Sequence, residues 1–255
     1  MYVSPKPIGY LPGDAVLWRY MSFAKFVAIL HTRTLFFPSL ANLQDSFEGS
    51  FPDANVDLVA DILQYEEDTP EDRASALKDF LDLNRKNRRS FVVNCWFQGE
   101  TESFAMWKLY AGGGEGIAIK SNVSSLINCF KGGQPVFISP VQYIDYKSDI
   151  IDDLAFFTRA LVKRKGYEHE AEVRAYYSHI PMKDGEVDKS PESYERPGVS
   201  RQIDVDVLIK EVIVTPEAGS WFLELVKMVA AHYGLKAPVR LSSLADTPNW
   251  DRVVL

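Results

Sequence analysis

Apolar positions along the chain switch repeatedly between short continuous runs and helical spacing. Ala15-Val16-Leu17-Trp18-Arg19-Tyr20 reads as a buried strand. Ser22 then offers an N-cap to a helix with Phe23, Phe26, Val27 and Leu30 on one face. Leu35-Phe36-Phe37 reads as a second strand, followed by a loop over Pro38 to Glu48 with Asn and Asp turn formers. Residues 56 to 90 are charge-rich with apolar Val59, Ile62, Leu63, Leu77, Phe80 and Leu81, the pattern of a solvated helical insertion. Phe91 to Phe97 reads as a strand, Ser103 to Tyr110 as a short aromatic helix, and Gly112 to Gly116 as a glycine run feeding the strand Ile117 to Lys120. A phosphate cradle needs a strand before the glycines and a helix after them, and the order here is reversed.

Further on, Val136 to Tyr146 is expected as a strand, Ile151 to Lys165 as a helix with Ile151, Leu154, Ala155 and Leu161 inward, and Ala171 to Tyr177 as a strand. Met182 to Gln202 reads as an exposed loop or hairpin. Ile203 to Leu208 and Lys210 to Thr215 read as strands, Ser220 to Tyr233 as an amphipathic helix stopped by Gly234, and Val239 to Leu241 as a closing strand. The expected fold is α+β: one domain over residues 1–255 with a central mixed sheet, flanking helices and the 56–90 insertion.

Composition narrows the partners more than the chemistry. Of 255 residues 46% are hydrophobic and 25% charged, which supports a sizeable core. The formal charge of -7 argues against holding nucleic acid or an anionic membrane through a broad basic surface. Cys95 and Cys129 stand far apart without Cys or His neighbours at ligand spacing, and His31, His169, His179 and His232 show no ligand-like pairing, so no disulfide and no metal site are expected. The N-terminus lacks a basic region followed by an apolar run, and nowhere do about 18 apolar residues run together. A cytoplasmic protein without a membrane partner is the expectation.

Three stretches resemble the domain-of-unknown-function 2971 family. The first is Trp18-Arg19-Tyr20-Met21-Ser22 with the loop Asn42-Leu43-Gln44-Asp45-Ser46-Phe47-Glu48, similar to the family's Asn-x-x-Asp-x-Phe-Glu. The second is Cys95-Trp96-Phe97 with Met106-Trp107-Lys108-Leu109-Tyr110 and Gly116-Ile117-Ala118-Ile119; Phe97 stands where the family usually has serine, so no hydroxyl role carries over. The third is Glu170-Ala171-Glu172-Val173-Arg174, similar to the family's Glu-x-Glu-x-Arg. The order of these elements is in turn remotely similar to the ADP-ribosyltransferase superfamily, particularly its DNA-targeting toxin branch.

On a strand, Glu170, Glu172 and Arg174 would line one face and Ala171, Val173 and Ala175 the core-facing other. Such a group can pair internally, bind a polar ligand, or divide acid and base roles; a surface ladder of charge pairs is the plainest reading. The resemblance implies more. Glu172 would face the oxocarbenium-like charge as the nicotinamide-ribose bond breaks, Glu170 would polarise an acceptor, and NAD would be substrate, with no structural cofactor. Candidate substrate-binding residues are Arg19, Tyr20, Asp45, Glu48, Trp107, Tyr110 and Arg174. Arg19 suits a phosphate, or an ion pair with Glu170 or Glu172. Trp107 and Tyr110, three apart on a helix, could stack on a planar ring or belong to the core. Asp45 and Glu48 could join the pocket or cap a turn.

Three functions remain open. One is an ADP-ribosyltransferase-like or NAD-glycohydrolase-like enzyme in phage defence or toxin biology, taking a nucleotide-like small molecule and a protein or nucleic-acid acceptor. The second is a non-catalytic ligand-binding or interaction domain. The third is a nuclease-like enzyme holding a divalent ion on Asp45, Glu48, Glu170 and Glu172. Oligomeric state is not legible.

Overall fold

The computed structural model describes residues 9, 11–66, 69–112, 114–151, 156–188 and 190–248. In chain order the strands and α-helices are β1 (Val16–Ser22), α1 (Phe23–Thr32), β2 (Thr34–Pro38), α2 (Asp53–Glu66), α3 (Pro70–Ser90), β3 (Phe91–Gln98), α4 (Phe104–Tyr110), β4 (Gly116–Asn122) and α5 (Val123–Asn128). There follow β5 (Phe137–Pro140), β6 (Gln142–Ile144), α6 (Phe156–Arg159), β7 (Val162–Arg164), β8 (Glu172–Ser178), β9 (Met182–Lys183), β10 (Glu186–Val187), β11 (Gly198–Gln202), α7 (Val205–Leu208), β12 (Glu211–Val214), α8 (Ser220–His232) and β13 (Val239–Leu241). The fold is α+β, with a mixed seven-stranded sheet in the order β13-β12-β4-β1-β3-β8-β5 and flanking helices. Among the described residues no helix is long and apolar enough to cross a membrane.

The chain packs as two compact units built from interleaved segments. The first comprises Phe36–Cys95 and Gly133–Arg201 with the described residues of Met1–Leu11; the second comprises Pro12–Leu35, Trp96–Gly132 and the described residues of Gln202–Leu255.

In the second unit β4 runs antiparallel to β1 along its whole length, from Val16↔Asn122 to Ser22↔Gly116. β12 adds antiparallel to β4 and β13 parallel to β12. Alternation on β1 puts Trp18 and Tyr20 on one face, where they form a core with Met106, Trp107, Ala111, Ala118 and Ile213. The α4 helix begins where Ser103 accepts a hydrogen bond from the Met106 amide. Ser22 stands at the expected N-cap of α1 in extended conformation, but its side chain makes no capping hydrogen bond.

In the first unit β5 pairs antiparallel with β8, from Phe137↔Tyr176 to Pro140↔Val173. The expected strand over Val136 to Tyr146 breaks at Val141. Its amide donates to the Glu172 carbonyl at 2.8 Å, and the Gln142 amide donates to the Leu161 carbonyl at 2.8 Å. The chain thereby leaves β8 and continues as β6, parallel to β7, with Tyr143 opposite Lys163. The helix expected over Ile151 to Lys165 is corrected by the same pairing: among the described residues of that range α-helix covers only Phe156–Arg159, and Val162–Arg164 is a strand docked on Gln142–Ile144. β-branched Val162 suits that pleated position, and it joins a core with Ile144, Tyr146 and Ile151. Leu154 and Ala155 lie outside the described residues. The 56–90 insertion is two helices; α3 has Pro70 in its first turn behind a Thr69 cap and buries none of its residues, as a solvated helix should.

A further correction falls in the second unit. The strand expected at Ile203 to Leu208 is instead a turn of helix, because Asp204 accepts from the Asp206 and Val207 amides at 3.1 and 3.4 Å and so starts α7.

Candidate functional site

Within the first unit the structure gathers five of the candidate residues. Three separate stretches contribute: the 45–48 loop, β7 and the start of β8. In the loop, Asp45 Oδ1 accepts from the Phe47 amide at 3.1 Å, an Asx turn, while the Arg164 guanidinium grips both Asp45 oxygens at 2.9 and 3.0 Å. Gly49 closes the loop at φ +71, and a Cβ there would lie 3.1 Å from Leu40 and 3.3 Å from Arg88. Asp45 thus fills the capping role. Glu48, three residues on, points inward and is 2% exposed.

The second contribution is Lys163 on β7. Its ammonium hydrogen-bonds Glu170 Oε2 and Glu172 Oε2, the latter at 2.9 Å, and lies 3.6 Å from Glu48 Oε1. The third is Arg174, fully buried. It donates from Nε to Glu172 Oε1 at 2.7 Å, from Nη2 to Glu172 Oε2 at 3.2 Å and Glu48 Oε2 at 2.7 Å, and from Nη1 to the Ala160 carbonyl at 2.6 Å. The Tyr143 hydroxyl accepts from the Glu172 amide at 2.7 Å.

Two expectations about this strand are corrected. Glu170 ends a 3-10 turn over Lys165–Glu170, and Ala171 follows in left-handed conformation at φ 36, so Glu170 precedes β8. The charges are also no surface ladder: Glu48, Lys163, Glu170, Glu172 and Arg174 are all at least nine-tenths buried, and both faces of β8 are covered. Three carboxylates and two cations therefore share one low-dielectric site, where burial and pairing compete.

Burial acts to raise the Glu172 pKa, but Arg174 and Lys163 outweigh it and hold the carboxyl at about 2. For Glu48 burial dominates, helped by the charge of Glu172 and only partly offset by Arg174 and Lys163, so its pKa is raised. Burial pulls the Lys163 pKa down, yet Glu172, Glu48 and Glu170 together drive it upward. Cys95 hydrogen-bonds Glu172, and burial pushes its thiol pKa up. Chemically the arrangement contains one firmly ionised carboxylate, one carboxyl inclined to hold a proton, and an ammonium at the convergence of three acids. A cation-binding role for these acids meets a protein ammonium already among them. Among the described residues no group of three or more His, Cys, Asp or Glu side chains is arranged to hold a metal ion.

The remaining candidates lie in the second unit. Arg19 is on β1, on the face opposite Trp18 and Tyr20, with its guanidinium 5.9 Å from the Trp96 ring centroid. Tyr20 and Trp107 meet edge to face at 5.0 Å and are both buried. The Tyr20 hydroxyl accepts from the Ser103 amide at 2.8 Å, and Trp107 Nε1 donates to Glu102 Oε2 at 3.1 Å. Both rings are core members with satisfied polar tips. Tyr110, on the same helix, is 45% exposed, so the two aromatics do not form one platform.

Sequence reasoning missed Lys163, hidden in the supposed helix, and Glu102. Glu102 accepts from Trp107, from Ser242 Oγ, from the Ser243 amide at 3.1 Å and from Arg240 Nη1 at 3.2 Å. These bonds outweigh burial and lower its pKa. It ties the C-terminal segment to α4. No local signal marks either residue; only the pairing of distant segments does.

No family model, curated protein or solved structure matches the chain.

Proposed function

We propose that this chain is a non-catalytic ligand-binding or interaction domain in which the Glu170-to-Arg174 segment is structural. The observation that carries the reading is the state of Glu172. Both its oxygens are taken by Arg174 and Lys163, it is 4% exposed, and its pKa lies near 2. A carboxylate stabilises a developing cation only in proportion to charge left uncompensated and aimed at the reacting centre. Here two protein cations already take that charge.

One observation favours the ADP-ribosyltransferase-like reading as a second: the Asp45–Glu48 loop and the Glu170–Arg174 segment, far apart in sequence, come together through the Glu48–Arg174 pair. The experiment that separates the two is release of nicotinamide from NAD by the full chain, with NAD binding followed by calorimetry. The proposed reading expects no turnover. Turnover lost in Glu172→Gln at an unchanged melting temperature would overturn it.

A further inference from the structure

Among the described residues of the first unit, Arg159 is a buried charge with no acid beside it. It ends α6 at 4% exposure, and the Phe51 and Phe156 rings lie 3.9 and 4.6 Å from its guanidinium carbon. Nη1 donates to Asn84 Oδ1, and the Asn84 amide nitrogen is itself held by the Phe80 carbonyl at 2.8 Å. That is the one hydrogen bond Arg159 makes among the described residues, and its Nε is enclosed without a partner. Burial pulls its pKa down to about 10; the Tyr146 phenol acts the other way, and no carboxylate contributes. Buried cations are ordinarily paired. Lys163 and Arg174 obey that rule, each meeting at least two carboxylates.

A second guanidinium stands close by. Phe80, Asn84 and Arg88 follow at i, i+4 and i+8 on one face of α3. A Cβ at Gly49 would lie 3.3 Å from the Arg88 stem and 3.6 Å from the Phe156 ring, so Arg88 neighbours the ring that packs on Arg159. Arg88 Nη2 donates to the Ser46 carbonyl at 3.0 Å, and its Nε is likewise enclosed without a partner.

We propose that Arg159 and Arg88, where α3, α6 and the 46–51 loop meet, form a binding site for a phosphate group, with Asn84, Phe51 and Phe156 holding the Arg159 fork in place. The argument is what those contacts leave over. Ring contacts use the flat of the guanidinium, and Asn84 uses Nη1. The Nε–Nη2 edge remains, two parallel N–H groups that match two oxygens of an oxyanion. Two cations favour a dianion, and a dianion there supplies the charge that the fold does not. Since α3 buries none of its residues, the way in runs past side chains of a solvated helix. The site shares no residue with the Glu48–Arg174 group, so its test and the nicotinamide-release test stand or fall separately.

Inorganic phosphate is the probe. Calorimetry of the full chain should show one saturable site, and at ten times Kd the melting temperature should exceed that in chloride of equal ionic strength by about 3 to 6 °C. Acetate, a monoanion that fits the same fork, should bind at least about tenfold more weakly. Adenosine monophosphate binding more tightly than phosphate assigns the site to a phosphate ester; otherwise it is assigned to free phosphate. Arg159→Lys keeps the charge and loses the fork, and Arg88→Gln removes the second cation; each should weaken phosphate binding at least about tenfold. Arg159→Met, which keeps an apolar stem against both rings, should show no phosphate increment. No saturable binding up to about 50 mM, acetate equal to phosphate, or an undiminished increment in Arg159→Lys and Arg88→Gln would each overturn the proposal.

Discussion

Replacing Glu172 by Gln keeps the shape of the side chain and removes one charge from the buried group of Glu48, Lys163, Glu170, Glu172 and Arg174. Two routes give the expected cost. Depression of the Glu172 pKa from 4.5 to about 2 corresponds to about 3 kcal/mol at 1.36 kcal/mol per unit. Breaking one side of a buried ion pair costs about 3–5 kcal/mol, because the partner is left uncompensated; Arg174, at 0% exposure, has no water to turn to. We therefore expect about 3 kcal/mol at neutral pH, well above the 0–1 kcal/mol of an exposed pair. The pH dependence follows from the direction of the shift. A carboxyl whose folded-state pKa is depressed contributes stability that is present above its unfolded pKa and is lost as pH falls through the folded value. The deficit of Glu172→Gln should accordingly be full above pH 4.5 and shrink toward pH 2. Urea unfolding of both proteins at pH 7.5, 4.5 and 3, with equal m-values as the check on two-state behaviour, gives the numbers. A loss below about 1 kcal/mol at pH 7.5, or one that does not diminish in acid, would refute the reasoning.

Glu48→Gln should behave oppositely. Because the Glu48 pKa is raised, the charged form is disfavoured in the fold, and the variant's deficit in the same titration should shrink as pH rises instead of falling. Lys163→Met removes the cation shared by three acids and should cost about 3–5 kcal/mol at neutral pH; urea midpoints report it. Glu102→Ala strips acceptors from Trp107, Ser242, Ser243 and Arg240, for a cost of about 1–3 kcal/mol. Hydrogen exchange at the Ser243 and Leu244 amides should accelerate in that variant before the rest of the second unit is affected.

The elements legible in the sequence are those whose pattern is local. β1 with α1, the 56–90 helices, α4 and α8 follow from apolar spacing and from caps such as Ser103 and Thr69. The failures share a cause. Leu161-Val162-Lys163 continues a helical spacing, yet β6 offers it an edge, and strand pairing with residues some 20 positions earlier overrides the local period. The Asp204 cap likewise turns an apolar run into helix. At the candidate site, Asp45, Glu48, Glu172 and Arg174 were legible as a charged set, but their burial was not. Alternation describes a strand with one wet face, whereas β8 is covered on both.

The Glu48–Arg174 pair joins residues 126 positions apart, which dictates an order of events during synthesis. At about 5–20 residues per second Glu48 is added to the chain roughly 6 to 25 seconds before Arg174. The first unit cannot close its charged interior in that interval. The Glu48–Arg174 contact can therefore form only after the first unit's later half has been made.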